Sequence, residues 1–132
     1  MKLGYTIIYV PNVSESLKFF SQTFGFKENF LHESGFYGEL ETGGTTLAFA
    51  AHELGAQNLP SGYLKASENE TPLGFEIALV TNDVLTAHKN AIESGAVEIR
   101  PVETKPWGQI VSYVRCPAGI LIELCTPVNS GG

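Results

Sequence analysis

Residues 2–10 form a run rich in β-branched and aromatic side chains (Tyr5, Thr6, Ile7, Ile8, Tyr9, Val10), the pattern of a strand, and Pro11 stops it. The period then changes from two to 3.6. Leu17, Phe20 and Phe24 recur at helical spacing, and Phe19 widens the apolar stripe. Asn12 is placed to cap this helix, Glu15 three residues on completes a capping box, and Gly25 ends it. Strand character returns over 26–31, 35–40 and 45–51, with turns at His32-Glu33-Ser34 and Gly43-Gly44. Residues 52–72 show no period and carry Gly55, Pro60 and Gly62; they read as a linker, partly folded over a cavity mouth.

The same order then recurs. Phe75 to Val80 is strand-like, Asn82 or Asp83 caps a helix with Val84, Ala87 and Ala91 on its buried face, and Gly95 ends it. Strands follow over 97–102, 109–115 and 120–126, separated by Lys105-Pro106-Trp107-Gly108 and Pro117-Ala118-Gly119. The expected fold is α+β: tandem βαβββ modules forming cupped mixed sheets around a central cavity. Within a single domain of 1–132, the first module covers 3–51, the linker 52–72, the second module 73–127 and a flexible tail 128–132. A half of some 60 residues with one helix gives a marginal core, so the two sheets are expected to share one.

Duplication makes the equivalent positions comparable. Tyr5 stands 71 residues before Glu76, and Ala48 stands 75 before Glu123, offsets that one loop insertion reconciles. The second copy therefore holds carboxylates where the first has none. Glu123 lies among Ile120, Leu121, Ile122 and Leu124, and alternation puts it on the face of Leu121. A carboxylate there must be paired, hydrated or protonated. If Glu76 shares its cavity, repulsion and burial raise one pKa and create a proton-carrying pair, able to act as general acid and base or to recognise a cation. Tyr5 can donate a hydrogen bond to a ligand or a glutamate. Phe49, Trp107 and Tyr113, with Phe36, Tyr37 and Tyr63, are candidates for an aromatic ligand wall, Trp107 at its mouth.

Composition narrows the partners. The chain is 43% hydrophobic and 17% charged, as a globular protein is, and its formal charge of −6 comes without a basic block. Nucleic acid and anionic membranes are therefore not expected partners. Apolar runs are too short to span a bilayer, and Met1-Lys2 leads into a strand without a signal-peptide core, so a cytoplasmic location is expected. Cys116 and Cys125 read as reduced core residues, and His32, His52 and His88 as surface or structural ones. No Ser-His-Asp order, phosphate loop, dinucleotide fingerprint or paired CxxC occurs.

The layout resembles the vicinal oxygen chelate superfamily, which includes glyoxalase I, bleomycin-resistance proteins, fosfomycin-resistance enzymes and extradiol dioxygenases. The resemblance runs from Leu3 to about Pro127. It is carried by Tyr5-Thr6-Ile7-Ile8-Tyr9-Val10, Ser16-Leu17-Lys18-Phe19-Phe20, Phe24-Gly25-Phe26, residues 38–44 and, above all, Trp107-Gly108-Gln109 through the closing run Arg115 to Leu124. Cys116 stands where that hairpin normally has Asp. In metal-dependent members four positions supply His and Glu to one divalent ion, and these fall on Tyr5, Ala48, Glu76 and Glu123. Ala48 has no donor and Tyr5 is a poor one, so the resemblance implies a vestigial metal site and no cofactor; a weakly held divalent ion at two carboxylates is the alternative. The implied function is metal-independent binding of a small, cationic organic molecule by a homodimer, as in the bleomycin-resistance branch, a sequestration that confers resistance to an antibiotic or toxic compound. The alternative is a glyoxalase-, lyase- or dioxygenase-type enzyme using Glu76 and Glu123 as catalytic residues, with Tyr5, Phe49, Trp107 and Tyr113 binding ligand in both cases.

Overall fold

A computed structural model describes residues 1–128, so the tail expected to be flexible lies largely outside the described residues. The chain divides into two compact units, Met1–Glu68 and Asn69–Gly132. The division falls inside the stretch read as a linker.

The first unit contains β1 (Tyr5–Val10), α1 (Val13–Phe24), β2 (Lys27–Leu31), β3 (Tyr37–Glu41), β4 (Thr46–Ala51) and α2 (His52–Asn58). Its sheet runs in the order β1-β4-β3-β2, with β1 parallel to β4 and the other pairs antiparallel. The expected cap is present: Asn12 Oδ1 accepts from the Glu15 amide at 2.9 Å. Gly25, at φ 79°, ends the helix in the left-handed conformation that glycine adopts without strain. The apolar stripe buries Val13, Leu17 and Phe20, and the Phe20 ring lies 5.3 Å from Phe49 of β4. Each such side chain contributes about 1.5–3 kcal/mol on full burial. Close approach of α1 requires Gly38 on β3, where a Cβ would fall 2.7 Å from Leu17 Cδ1.

Residues 52–72 are more ordered than their composition suggests. His52–Asn58 is a helix packed on β4 and β1, and Ala66–Glu68 is a 3₁₀ turn against β1. Both belong to the first unit. The seven-residue helix is too short to register as a period in the sequence, and Gly55 obscures it. Gly55 is nonetheless required, because a Cβ there would lie 2.4 Å from Tyr63 Oη.

The second unit repeats the plan with β5 (Ile77–Val80), α3 (Val84–Glu93), β6 (Val97–Thr104), β7 (Ile110–Arg115) and β8 (Leu121–Cys125), in the order β5-β8-β7-β6. Asp83 is the cap, its Oδ1 accepting from the Thr86 amide at 3.1 Å. Helix α3 buries Val84 and Ala91 as expected, but the third residue of its stripe is His88 rather than Ala87, which is half-buried. His88 Nδ1 meets Ser112 Oγ at 2.8 Å and its Nε2 meets Glu98 Oε2 at 2.7 Å. Two polar partners make this imidazole a satisfied core group.

Candidate functional site

Strand alternation gives each sheet one face packed on its helix and one far face turned away from it. In the first unit Gly38 and Phe49, paired across β3 and β4, face α1. The far face therefore takes Tyr5, Ile7 and Tyr9 from β1, Ala48 and Ala50 from β4, and Tyr37 and Glu39 from β3. In the second unit Ser112 and Leu124 pair on the α3 side, as the Ser112–His88 bond requires. The far face there carries Ala78, Val111, Tyr113, Glu123 and Cys125.

The strand register is laid out alike in the two units. Ile7 aligns with Ala48, and Ala78 aligns with Glu123. Tyr5 and Glu76 each stand two residues before that pair. Glu76 precedes β5, which begins two residues later than expected, yet its carboxyl is near enough to that of Glu123 to be perturbed by it.

Two carboxylates cannot hydrogen-bond each other without a proton between them. The bond to Glu123, with burial and the charge of Glu123 behind it, raises the Glu76 pKa from 4.5 to about 7. Tyr113 sits directly across from Glu123 and donates from its hydroxyl to Oε1 at 3.1 Å. Burial first, then this bond, pushes the Tyr113 phenol to about 12. The Cys125 thiol donates to the Leu79 carbonyl at 3.8 Å, and burial, followed by the nearby Glu123 carboxyl, raises its pKa to about 11. Both cysteines are free and buried, so Cys125 is a protonated thiol beside the carboxyl pair. Its place two residues after Glu123 on one strand was available from alternation.

The remaining expected site residues divide. Tyr5 lies on the far face of β1, 58% exposed, without a hydrogen bond to a glutamate among the described residues. Trp107 occupies the β6–β7 turn, 64% exposed, its Nε1 donating to Gln109 Oε1 at 2.9 Å. Phe49 is a correction. It points toward α1 and is fully buried against Phe20, so it belongs to the core and not to a ligand wall. Alternation from Leu47 places it opposite Ala48, and aromatic character alone obscured that. His52 opens α2 with Nδ1 2.7 Å from Tyr63 Oη, while its Nε2 is buried without a partner. Burial, then Lys65, lowers its pKa.

The sequence does not single out Glu39 or Asn29. Glu39 pairs across β3 and β4 with Ala48, so the first unit keeps a carboxylate one strand over from the position where it is missing. Tyr37 Oη donates to Glu39 Oε2 at 2.8 Å and Asn29 Nδ2 donates to Oε1 at 3.3 Å. Asn29 reaches it from a β-bulge: Glu28 pairs Leu40 and Phe30 pairs Glu39, leaving Asn29 as the extra residue. The second unit has the same shift between Glu98 and Arg100. Such a bulge leaves no mark on the apolar pattern.

No group of three or more His, Cys, Asp or Glu able to hold a metal ion occurs among the described residues. No helix among them is long and apolar enough to cross a membrane.

Comparison with known proteins gives one family. The model of the Glyoxalase/Bleomycin resistance protein/Dioxygenase superfamily matches residues 2–124. Similar solved structures include a glyoxalase-related enzyme from Fulvimarina pelagi, at 16% identity and a TM-score of 0.80, covering 96% of this chain and 88% of that one. A family enzyme from Burkholderia phytofirmans PsJN shares 21% identity over 96% and 98% of the two chains, with a TM-score of 0.75. A superfamily member from Sphaerobacter thermophilus DSM 20745 shares 26% over 96% and 98%, with a TM-score of 0.66. No curated protein matches the chain.

Proposed function

The chain belongs to the Glyoxalase/Bleomycin resistance protein/Dioxygenase superfamily, and on that premise we propose that it is a metal-independent small-molecule-binding protein whose ligand contacts the Glu76–Glu123–Tyr113 face. The observation that carries this reading is the far face of the second unit, where Tyr113 donates to Glu123 Oε1 at 3.1 Å and Glu123 lies near enough to raise the Glu76 pKa. Where metal-dependent relatives are expected to present ligands, this chain has an alanine, a phenol and two carboxyls that hold a proton between them. A divalent ion needs several deprotonated oxygen or nitrogen donors on one centre, and this set does not fit it. A carboxyl pair carrying one proton keeps one negative charge, which suits an organic cation and matches the acidic chain. Sequestering a toxic or antibiotic compound is the service such binding would perform.

A second reading treats the pair as catalytic. Glu76 near 7 is poised to exchange a proton at neutral pH, as a general acid or base must be. Elemental analysis of the purified protein and of Glu123→Gln, followed by a melting-temperature screen of organic cations, separates the two. The binding reading expects no stoichiometric divalent metal in either protein and a cation that raises the melting point of the parent alone. Stoichiometric metal in the parent, lost in Glu123→Gln, overturns it and supports the enzyme.

The same reading has the chain pair with a second copy of itself. Leu3, Tyr5 and Ile7, on or just before edge strand β1, are exposed apolar surface of the kind a homodimer covers.

A further inference from the structure

We propose that residues 52–68 are a strap that acid releases from β1 and β4, with His52 as the sensor and Tyr63 as the catch. This device goes beyond the proposed binding function and does not depend on it.

Tyr63 holds the strap at three points. Its ring lies 4.9 Å from that of Tyr9 on β1, its hydroxyl meets His52 Nδ1 at 2.7 Å, and it fills the notch that Gly55 leaves by lacking a Cβ. Asn58, at the end of α2, reaches back to the Tyr9 hydroxyl at 3.4 Å. Beyond Tyr63, the 3₁₀ turn lies against β1, and Ala66 is 5% exposed there. Because one side chain joins the ring of β1 to the head of α2, losing the His52 contact loosens the whole segment.

The docked seat accepts His52 only as the neutral ring. Its Nε2 is buried and has no hydrogen-bond partner. A neutral imidazole leaves one nitrogen bare, whereas the cation must donate from both. Protonation would therefore bury an unpaired charged donor at Nε2. It would also turn Nδ1 into an obligatory donor toward Tyr63.

The groups around the ring do not supply the missing acceptor. Glu53 of α2 and Glu68 of the 3₁₀ turn favour the cation, but burial first, then Lys65, outweigh them and lower the His52 pKa from 6.5. Lys65 also lies 3.9 Å from Glu68 and draws on its charge. Burial raises the Tyr63 phenol, so it adds no proton step in acid. Strand β4 brings no titratable side chain to the seat. The docked strap thus binds fewer protons than the released one. Docking is fully favoured above 6.5 and is lost progressively as pH falls below that value.

Hydrogen exchange of isotope-labelled full-length protein, followed by NMR from about pH 7.5 to about pH 5, tests this once each rate is corrected for the intrinsic effect of pH. The Leu59, Gly62 and Glu68 amides are bonded within the strap and report its opening. Their protection should fall by about tenfold per pH unit below 6.5, while amides of α1 keep theirs. His52→Gln should abolish the pH dependence at these amides, whatever protection it retains at neutral pH. A direct titration of the His52 ring in the parent protein, which needs no variant, should give a midpoint below 6.5. Protection that does not change with pH overturns the inference, as does the same dependence in His52→Gln or a ring midpoint at or above the ordinary value. An equal fall across α1 overturns it too, since the whole unit would then be opening rather than the strap. None of these readouts involves a ligand or a metal, so their failure leaves the proposed function standing.

Discussion

Replacing Glu76 with Gln should remove a pH dependence from the stability of the second unit. In the native state Glu76 holds its proton up to about 7, whereas its ordinary value is 4.5. Between those values the folded chain keeps a proton that the unfolded chain releases. The stabilisation is therefore complete below 4.5 and is lost as pH rises through about 7. At about 1.4 kcal/mol per pKa unit the shift spans about 3 kcal/mol. Glu76 is exposed, and solvent screening of such a group reduces this to about 1 kcal/mol. His52 acts in the opposite direction, because burial lowers its pKa from 6.5 and favours the fold as pH rises toward that value. It is common to both proteins and cancels in their difference. Asp83 and Glu103 are lowered, so their contributions change at more acidic pH. Urea melts of both proteins at about pH 5 and about pH 8, followed by fluorescence of the single Trp107 in the second unit, measure the effect. The parent should lose about 1 kcal/mol more than Glu76→Gln between the two conditions. Equal losses, or a greater loss in the variant, would refute the shared proton.

Two further outcomes are expected. Light scattering at micromolar concentration should give the mass of a dimer, and a mass near the 14.3 kDa of one chain would remove the second copy from the proposal. In an alkaline absorbance titration Tyr37 and Tyr113 should ionise last, near 12, and Tyr113→Phe should remove one of those late transitions; an unchanged late phase in that variant would contradict the Tyr113–Glu123 bond.

The elements with long periods or strong punctuation could be read directly. Helix α1 carries its cap, its stripe and its closing glycine in the sequence, and the structure keeps all three. Within each unit the equivalence of Tyr5 with Glu76 and of Ala48 with Glu123 follows from strand spacing, because a one-residue slip would have put those side chains on the packed face. What escaped was set by geometry that alternation does not encode. The bulge brings Asn29 to Glu39, and α2 is stabilised by packing rather than by any period of its own. His88 occupies a stripe position that hydrophobicity assigns to an apolar residue, and it is tolerated only because Ser112 and Glu98 satisfy both nitrogens. Phe49 packs inward because its strand position, and not its aromatic character, dictates the face it takes.

Helices α1 and α3 are fastened by different physics. Phe20 and its neighbours grip by shape, which is non-directional, so swaps of similar volume in α1 should be absorbed by small readjustments. His88 grips by direction: a slide of α3 by one turn would strip both ring nitrogens at once. The first unit can therefore drift in sequence along its helix while keeping its architecture, whereas the second is pinned to one alignment at a single imidazole.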